Sequence, residues 1–488
     1  MKISPAGNTC WVFNLRLSNS INRGDKMDYN MDVTIAAIST PPGCAGIGKI
    51  RISGEEAIEI ADKVFYSSST ESLKEVDSHT IHYGFIKDKK GKDIDEVLAL
   101  VLKAPKSFTA EDTVEFDCHG GSLPLQGVLD AVLSAGARLA EPGEFSKRAF
   151  MNGRIDLTQA EGIIDLINSQ TEKGRELAVQ HLKGGLSDHI KGIREKLMTI
   201  LAGMEASIDF PEDEVPGFNS DQVGNKISQV IDTLDELIKS SKTGQIFTEG
   251  VETVIVGKPN VGKSSLLNYL LKENRAIVTE IPGTTRDIIS ELVNLGGIPL
   301  RITDTAGIRE TSDQVEKIGV ERTISSLQTA DLVLLMLDVS QGISPGDYKI
   351  YQEVKDKPII ILVNKTDLSE EIDRKKIEGD FPEGRIIYTS IQTGAGLKEL
   401  EDAIKEEILA GDVKGGYDQI ITRIRHRNLL EEAKSSLELV IEGNEMNVPP
   451  DLLSVDLKDA LLSLGKITGE TVTDNLIDQI FQDFCIGK

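Results

Sequence analysis

A chain of 488 residues is too long for one hydrophobic core, and at about 150 residues per domain it should hold about three. With 39% hydrophobic and 27% charged residues it reads as an ordinary folded chain, and no run of about 18 apolar residues is present to cross a membrane. A net charge of −25 argues against a broad nucleic-acid surface, and four scattered cysteines without a Cys-x-x-Cys pair argue against a disulfide framework or zinc site and for a reducing, cytoplasmic setting.

The first 26 residues hold the only tryptophan, Trp11, but neither a continuous apolar core nor a small-residue cleavage site. They read as a disordered or over-extended N-terminus ahead of Met27 or Met31, in preference to a transit peptide. An extension over 1–30 is therefore expected. From Thr34 short β runs (DVTIAAIS, GKIRISG, SHTIHYGFI, DEVLALVLKA, DTVEFDC) mix with two helical stretches (EEAIEIADKVF, LQGVLDAVLSAGA), which predicts an α+β domain over 31–145. Within it Gly43, Gly46 and Gly48 read as a glycine-rich turn, because no Lys-Ser/Thr follows them. Cys118-His119 reads as a packed strand end, since no second ligand pair accompanies it.

From Glu144 apolar residues recur at three- and four-residue spacing, predicting a helical domain over 146–249 with Asp156 and Thr158 as candidate N-caps. The acidic, proline-bearing segment FPEDEVPGFNSD is expected to break it. From Val251 strongly apolar strands (TVIVG, PLRITD, LVLLMLDV, PIIILVN, RIIYTS) alternate with helices, the pattern of a doubly wound α/β domain over 250–410. After it the chain turns helical again over 411–488, with Leu453, Leu457, Leu461 and Leu464 on one stripe. Helices on both sides of the α/β unit imply that it is inserted into one helical domain.

The inserted domain carries five motifs in order. VIVGKPNVGKSS places Asn260, Val261, Gly262, Lys263, Ser264 and Ser265 between a strand and a helix, where main-chain N–H groups wrap phosphates. Lys263 would reach the β- and γ-phosphates and Ser264 would ligate Mg²⁺. Gly283-Thr284-Thr285 offers Thr285 to Mg²⁺ and the γ-phosphate, and after a Gly296-Gly297 hairpin comes Asp304-Thr305-Ala306-Gly307, where Asp304 would hold Mg²⁺ through water. Asn364-Lys365-Thr366-Asp367 follows a strand; the Asp367 carboxylate can accept from guanine N1 and N2, which adenine cannot match, so GTP is expected over ATP. Thr389-Ser390-Ile391 closes the set with an N–H for the guanine oxygen. A P-loop GTPase is the expectation. Ile308 stands where Ras-type enzymes have the water-orienting glutamine. Glu310, Asp313 and Glu316 are the nearby acids, any of which can be solvated surface charge. Asn260 could present an oxygen to a monovalent cation.

These motifs, with TPPGCAGIGKIRISG, PGEFSKRAFMNGRIDLTQAE, IVTEIPGTTRD and the terminal FCIGK, make the chain resemble the MnmE (TrmE) family of tRNA-modification GTPases from Thr34 to Lys488. The resemblance implies a homodimer that, with the FAD-dependent partner MnmG and a tetrahydrofolate one-carbon unit (5-formyl or 5,10-methylene), adds carboxymethylaminomethyl to C5 of the wobble uridine of certain tRNAs. It implies potassium on Asn260, Thr279, Ile281 and Thr284, with Mg²⁺ on Ser264 and Thr285. It extends the GTP contacts to Glu280, Pro282 and Gln392, and it singles out Glu316 as the catalytic, water-orienting acid. It places folate against Arg51, Glu115, Arg154 and Lys488, and gives Cys485 a part in the modification chemistry.

Arg423, Arg425, His426 and Arg427 form the densest basic cluster. A solvated or acid-paired helix face is the ordinary reading, and a contribution to tRNA binding the sharper one. A ribosome-assembly GTPase of the Era or Der type is the rival function. It would carry a Gly-x-x-Gly RNA-binding module or a second GTPase domain after the first, and neither is present.

Overall fold

The computed structural model describes residues 32–209, 220–274, 290–304, 327, 329–368, 373–409, 420–482 and 484–488. They divide into two units, one running up to Ala160 and rejoined by Thr468–Lys488, the other Glu161–Ile467.

Alternation organises the first unit. Along β5 (Asp93–Leu102) Val97, Ala99 and Val101 are buried while Leu98 points the other way, as a period of two demands. β1 (Ile35–Ile38), β2 (Ala45–Ser53), β3 (Phe65–Tyr66), β4 (Thr80–Lys87), β6 (Thr113–Gly120) and β7 (Arg138–Leu139) join it in a seven-stranded sheet of order β3-β4-β5-β6-β2-β1-β7. All pairs are antiparallel except β1 with β7. One face packs on α1 (Ala57–Val64) and α2 (Ser122–Ser134) through Ile50, Ile52, Val114 and Phe116, each fully buried and each worth about 1.5–3 kcal/mol. Gly46 and Gly48 belong to β2 and not to a turn: a side chain at Gly48 would collide with Leu125 of α2 at 2.5 Å. Cys118 ends its strand packed in this core, and burial pushes its thiol up to about 12.

The opposite face is divided. On the β1 side, Ile35 and Ala37 pack with Phe145 of α3 (Glu144–Met151). On the β4–β5 side it is bare, with Ile81 64%, Tyr83 49% and Leu98 42% exposed. The chain end joins this unit: Lys147 of α3 pairs with Asp478 of α14 (Asp474–Gln482) at 2.5 Å. The predicted second helical segment, 411–488, therefore leaves the helical unit at Thr468.

In the second unit, α6 (Gly185–Asp209) and α7 (Ser220–Glu249) share one core with α12 (Ile424–Glu445) and α13 (Pro450–Thr468), while α5 (Glu172–Leu182) sends Leu177 into the core of the inserted sheet. Leu453, Leu457, Leu461 and Leu464 are all buried in it, so the stripe read from the sequence is the packing face. Of the expected acidic break over 210–221, residues 210–219 lie outside the described residues and Ser220 and Asp221 begin α7. α4 (Leu157–Asn168) begins with a reciprocal cap: Gln159 N donates to Asp156 Oδ1, and Asp156 N to Gln159 Oε1, both at 3.0 Å. Asp156 is the cap, and Thr158 sits inside the first turn donating to it.

The insert is a six-stranded sheet of order β13-β12-β11-β8-β10-β9, parallel except for edge strand β9. Its strands are β8 (Val251–Val256), β9 (Ser290–Leu295), β10 (Ile298–Asp304), β11 (Leu332–Asp338), β12 (Ile359–Asn364) and β13 (Arg385–Tyr388). Its helices are α8 (Lys263–Asn274), α9 (Pro345–Val354), α10 (Arg374–Asp380) and α11 (Leu397–Leu409). β11 and β12 are buried along their whole length, which is why they read as unbroken apolar runs.

Candidate nucleotide and folate sites

The phosphate loop lies at the carboxyl end of β8, where the sheet's connections part to β10 on one side and β11 on the other, the usual ligand position in an open α/β sheet. Gly257 has φ +149, and a Cβ there would stand 2.5 Å from Met336 O; Gly262 has φ +113, and a Cβ there would meet Asn364 Nδ2 at 2.5 Å. Both positions demand glycine because neighbouring strands approach the backbone directly. Asn260 takes the left-handed conformation at φ 63 with an exposed side chain. The Lys263 ammonium donates to Gly257 O and Lys258 O, both at 2.8 Å, and the Ser264 and Ser265 side chains are exposed at the start of α8.

Asn364 is the joint between this loop and the segments expected to read the base. Its amide donates to Val261 O at 2.8 Å, while its carbonyl oxygen accepts from Thr389 Oγ1 at 3.4 Å and Ile391 N at 3.3 Å. The side chain is buried, so each of these bonds replaces water that cannot reach it. Lys365, at φ 65, pairs with Asp338 at 2.6 Å. Burial works to raise the Asp338 carboxyl, but the Lys365 and Ser340 hydrogen bonds outweigh it and hold it below its ordinary value. Thr366 N and Oγ1 both donate to Thr389 O, and Asp367 stands exposed on the turn Thr366–Leu368. The Ser390 and Ile391 N–H groups, expected to face a purine oxygen, are used inside the protein by Ala395 O and Asn364. Gln392 is exposed beside them.

Thr279, Glu280, Ile281, Pro282, Gly283, Thr284, Thr285, Thr305, Ala306, Gly307 and Glu316 lie outside the described residues, and Asp304 is described only as the last residue of β10. Sequence reasoning missed the support of the loop's outer side, where Lys258 pairs with the buried carboxylate of Asp347 at 2.5 Å. Ser344-Pro345-Gly346-Asp347 spells a helix start, and Asp347 does cap α9; the capping box was the available signal.

The second cluster stands on the divided face of the N-terminal sheet. Register sets Arg51 opposite Glu115 and Lys49 opposite Asp117 across β2 and β6. Arg51 Nε meets Glu115 Oε1 at 2.8 Å, and Lys49 Nζ meets Glu115 Oε2 at 2.6 Å and Asp117 Oδ1 at 2.8 Å. Burial raises the Glu115 carboxyl, but Arg51 and Lys49 overcome it and hold the group below its ordinary value. The Arg51 and Arg154 guanidiniums each lie 5.2 Å from the centroid of the Phe108 ring. The tail brings Gly487 O to 3.5 Å from Arg51, and burial with the nearby Arg51 charge lowers the Lys488 ammonium. Cys485 is exposed, and its carbonyl accepts from Gly143 N at 3.3 Å. Arg51, Glu115, Arg154, Lys488 and Cys485, far apart in sequence, thus belong to one unit. Lys49 and Phe108 were missed; the alternation that puts Lys49 on the face of Arg51 was the signal.

The basic cluster at the start of α12 is paired with acids. Arg423 pairs with Asp165, Arg427 with Glu431, and Arg425 grips both oxygens of Glu161 at 3.1 and 3.0 Å while also donating to Lys466 O. His426 is buried against Glu161 at 2.7 Å. The ordinary reading as acid-paired charge holds: Arg423 and Arg425 are spent on Asp165 and Glu161 within the helical unit.

The family model described as MnmE helical domain matches residues 157–485, and that described as GTP-binding protein TrmE N-terminus matches 34–154. The chain is 49% identical over 462 residues to the tRNA modification GTPase MnmE of Alkaliphilus oremlandii, covering 94% of this chain and 100% of that protein. It is 48% identical over 458 residues to the tRNA modification GTPase MnmE of Geobacillus kaustophilus, covering 93% and 99%. Among solved structures, Aquifex aeolicus Era bound to GDP and aluminium fluoride is 31% identical, covering 38% of this chain and 66% of that one at a TM-score of 0.27.

Proposed function

The chain belongs to the MnmE family of tRNA modification GTPases, and from that premise we propose that it hydrolyses GTP, with potassium activation, to drive modification of tRNA. The observation that carries the proposal is the Asn364 side chain, which holds the phosphate loop and the guanine-reading segments in one hydrogen-bonded piece. A triphosphate on the loop amides would take the Lys263 ammonium from its two carbonyls onto phosphate oxygens. Asp367, exposed on its turn, is free of the strand and would accept the two guanine N–H groups.

The exposed hydroxyl of Ser264 and amide oxygen of Asn260 are hard donors suited to Mg²⁺ and K⁺. Ser264 with Thr285 would hold Mg²⁺, and Asn260 with Thr279, Ile281 and Thr284 would hold K⁺, the two ions supplying positive charge against the phosphates. Glu316 would orient the attacking water in place of the glutamine that Ile308 replaces. On the N-terminal sheet, the cations Arg51, Arg154 and Lys488 with the Phe108 ring suit the carboxylates and flat ring of a tetrahydrofolate, and the Glu115 carboxylate suits its N–H donors. Folate, Cys485 and the partner MnmG would together place the carboxymethylaminomethyl group on the wobble uridine. The bare apolar face of β4 and β5 supports a homodimer, because an exposed sheet surface of that kind is covered in most proteins. The reading implies a cytoplasmic enzyme.

The test is turnover of GTP and ATP by the purified chain with Mg²⁺ in K⁺ and in Na⁺ buffers. GTP alone should be hydrolysed, and much faster in K⁺. Equal use of ATP would sink the guanine assignment, and equal rates in both salts would remove potassium.

A further inference from the structure

Lys49 lies beside the proposed folate contacts without being one of them. It is opposite Asp117 in the β2–β6 register, yet its ammonium also crosses diagonally to Glu115, 2.6 Å from Oε2, while Arg51 holds Oε1 from the other side at 2.8 Å. Glu115 is therefore a carboxylate with a cation on each oxygen, and its side chain is only 11% exposed. Each carboxylate oxygen accepts two hydrogen bonds. With one cation on each, an acceptor position remains on both oxygens, enough for two N–H donors such as those on the amino-pyrimidine edge of a folate ring.

We propose that Lys49 is a positioning residue that, together with Arg51, fixes Glu115 as an ionised, correctly turned acceptor for the donor edge of folate. This rests on the folate reading above. With Arg51 alone, Oε2 would be unheld in a buried setting, which favours the neutral acid and lets the carboxyl rotate. Asp117 holds Lys49 down on the sheet at 2.8 Å, so its ammonium does not swing into solvent. The groups around Glu115 are Lys49 and Arg51 from β2, Asp117 from β6, uncharged Leu100 from β5, the Phe145 ring of α3 near Arg51, and Lys488 from the tail, which in turn has the Cys485 thiol nearby. Lys49 is the one cation among them that bridges Glu115 to a second carboxylate in the described contacts.

The sign follows from the acceptor role. Binding is lost as pH falls through the carboxyl's own pKa, and removing Lys49 moves that crossing upward. The experiment titrates 5-formyltetrahydrofolate into the full chain and into Lys49→Met, Lys49→Arg and Asp117→Asn between pH 5 and 8 by calorimetry. Wild type should bind with a flat profile. Lys49→Met should bind about three- to tenfold more weakly at pH 7 and lose further affinity toward pH 5. Lys49→Arg should restore the flat profile, and Asp117→Asn should keep it. A Lys49→Met profile that is unchanged, or reduced by one factor at every pH, overturns the positioning role; should that variant not fold, Lys49→Gln is titrated in its place, and a flat profile there overturns it. No binding by wild type is a different result: it removes the folate reading itself.

Discussion

The phosphate loop after β8 and the charged stripe on β2 and β6 hold their polar groups in place by opposite means. The loop works with main-chain atoms: glycines forced by neighbouring strands, a left-handed Asn260, and carbonyls gripped by Lys263 and Asn364. The stripe works with side chains: four charges brought into register by two strands, and two arginines laid against Phe108. A main-chain site depends on local conformation, which a short stretch of sequence encodes. A side-chain site depends on register between segments some sixty residues apart, such as Arg51 and Glu115 with |i−j| = 64.

If the loop is the phosphate grip, Lys263→Ala should produce the largest effect, a loss of GTP turnover of at least about a hundredfold. Near-normal hydrolysis would place the grip elsewhere. Next is Asp367→Asn, expected to weaken GTP by about a hundredfold while improving binding of xanthosine triphosphate, whose extra carbonyl suits an amide. Competition titrations with the two nucleotides read this out, and an unchanged ratio would separate Asp367 from the base. The basic cluster gives a third contrast, because its charges are structural. Arg425→Ala should cost about 3 kcal/mol of stability by taking the guanidinium from buried Glu161 and leaving it only His426. The salt dependence of tRNA binding should not move; a flattened salt slope would return the cluster to the nucleic-acid surface. The smallest effect concerns acid. Burial raises the Glu161 carboxyl, but His426 and Arg425 hold it well below its ordinary 4.5. The native state then binds fewer protons than the unfolded chain, so this share of stability is complete above about pH 4.5 and lost as pH falls below it. Urea midpoints of Glu161→Gln should show a shallower decline in that range than wild type.

Legibility from sequence followed the same division. The longer strands of both sheets, the leucine stripe of α13 and the strand-end positions of the phosphate loop and of Asn364–Asp367 were readable because each is a local period or a contiguous motif, whereas two-residue β3, whose Phe65 was read into the preceding helix, and β7 were not. Gly46 and Gly48 were misjudged because composition alone cannot tell a turn from a strand that must pass close beneath Leu125. Thr158 looked like a cap as good as Asp156, and only the reciprocal bond with Gln159 decides between them. Arg425 looked available because its partner, Glu161, is 264 residues away. The folate positions came from a resemblance, not from any local pattern, and Lys49 shows what such a transfer omits: a side chain whose importance exists only once two strands are paired.

One consequence follows from how the insert is anchored. Its outgoing and returning chain ends meet at α7, where Gly244 comes so close to the Ile421 carbonyl that a Cβ would stand 2.0 Å from it and Ser240 receives the Ile421 N–H. The helical unit is completed only when α12 and α13 arrive after the entire insert has been made. A floppy intervening chain would impose closure entropy that grows by about 0.6 kcal/mol for each doubling of its length. An insert that folds first brings its two ends together on its own account and removes that burden. Synthesis order and architecture therefore agree: the GTPase module acts as the clasp whose closing lets the surrounding helices assemble.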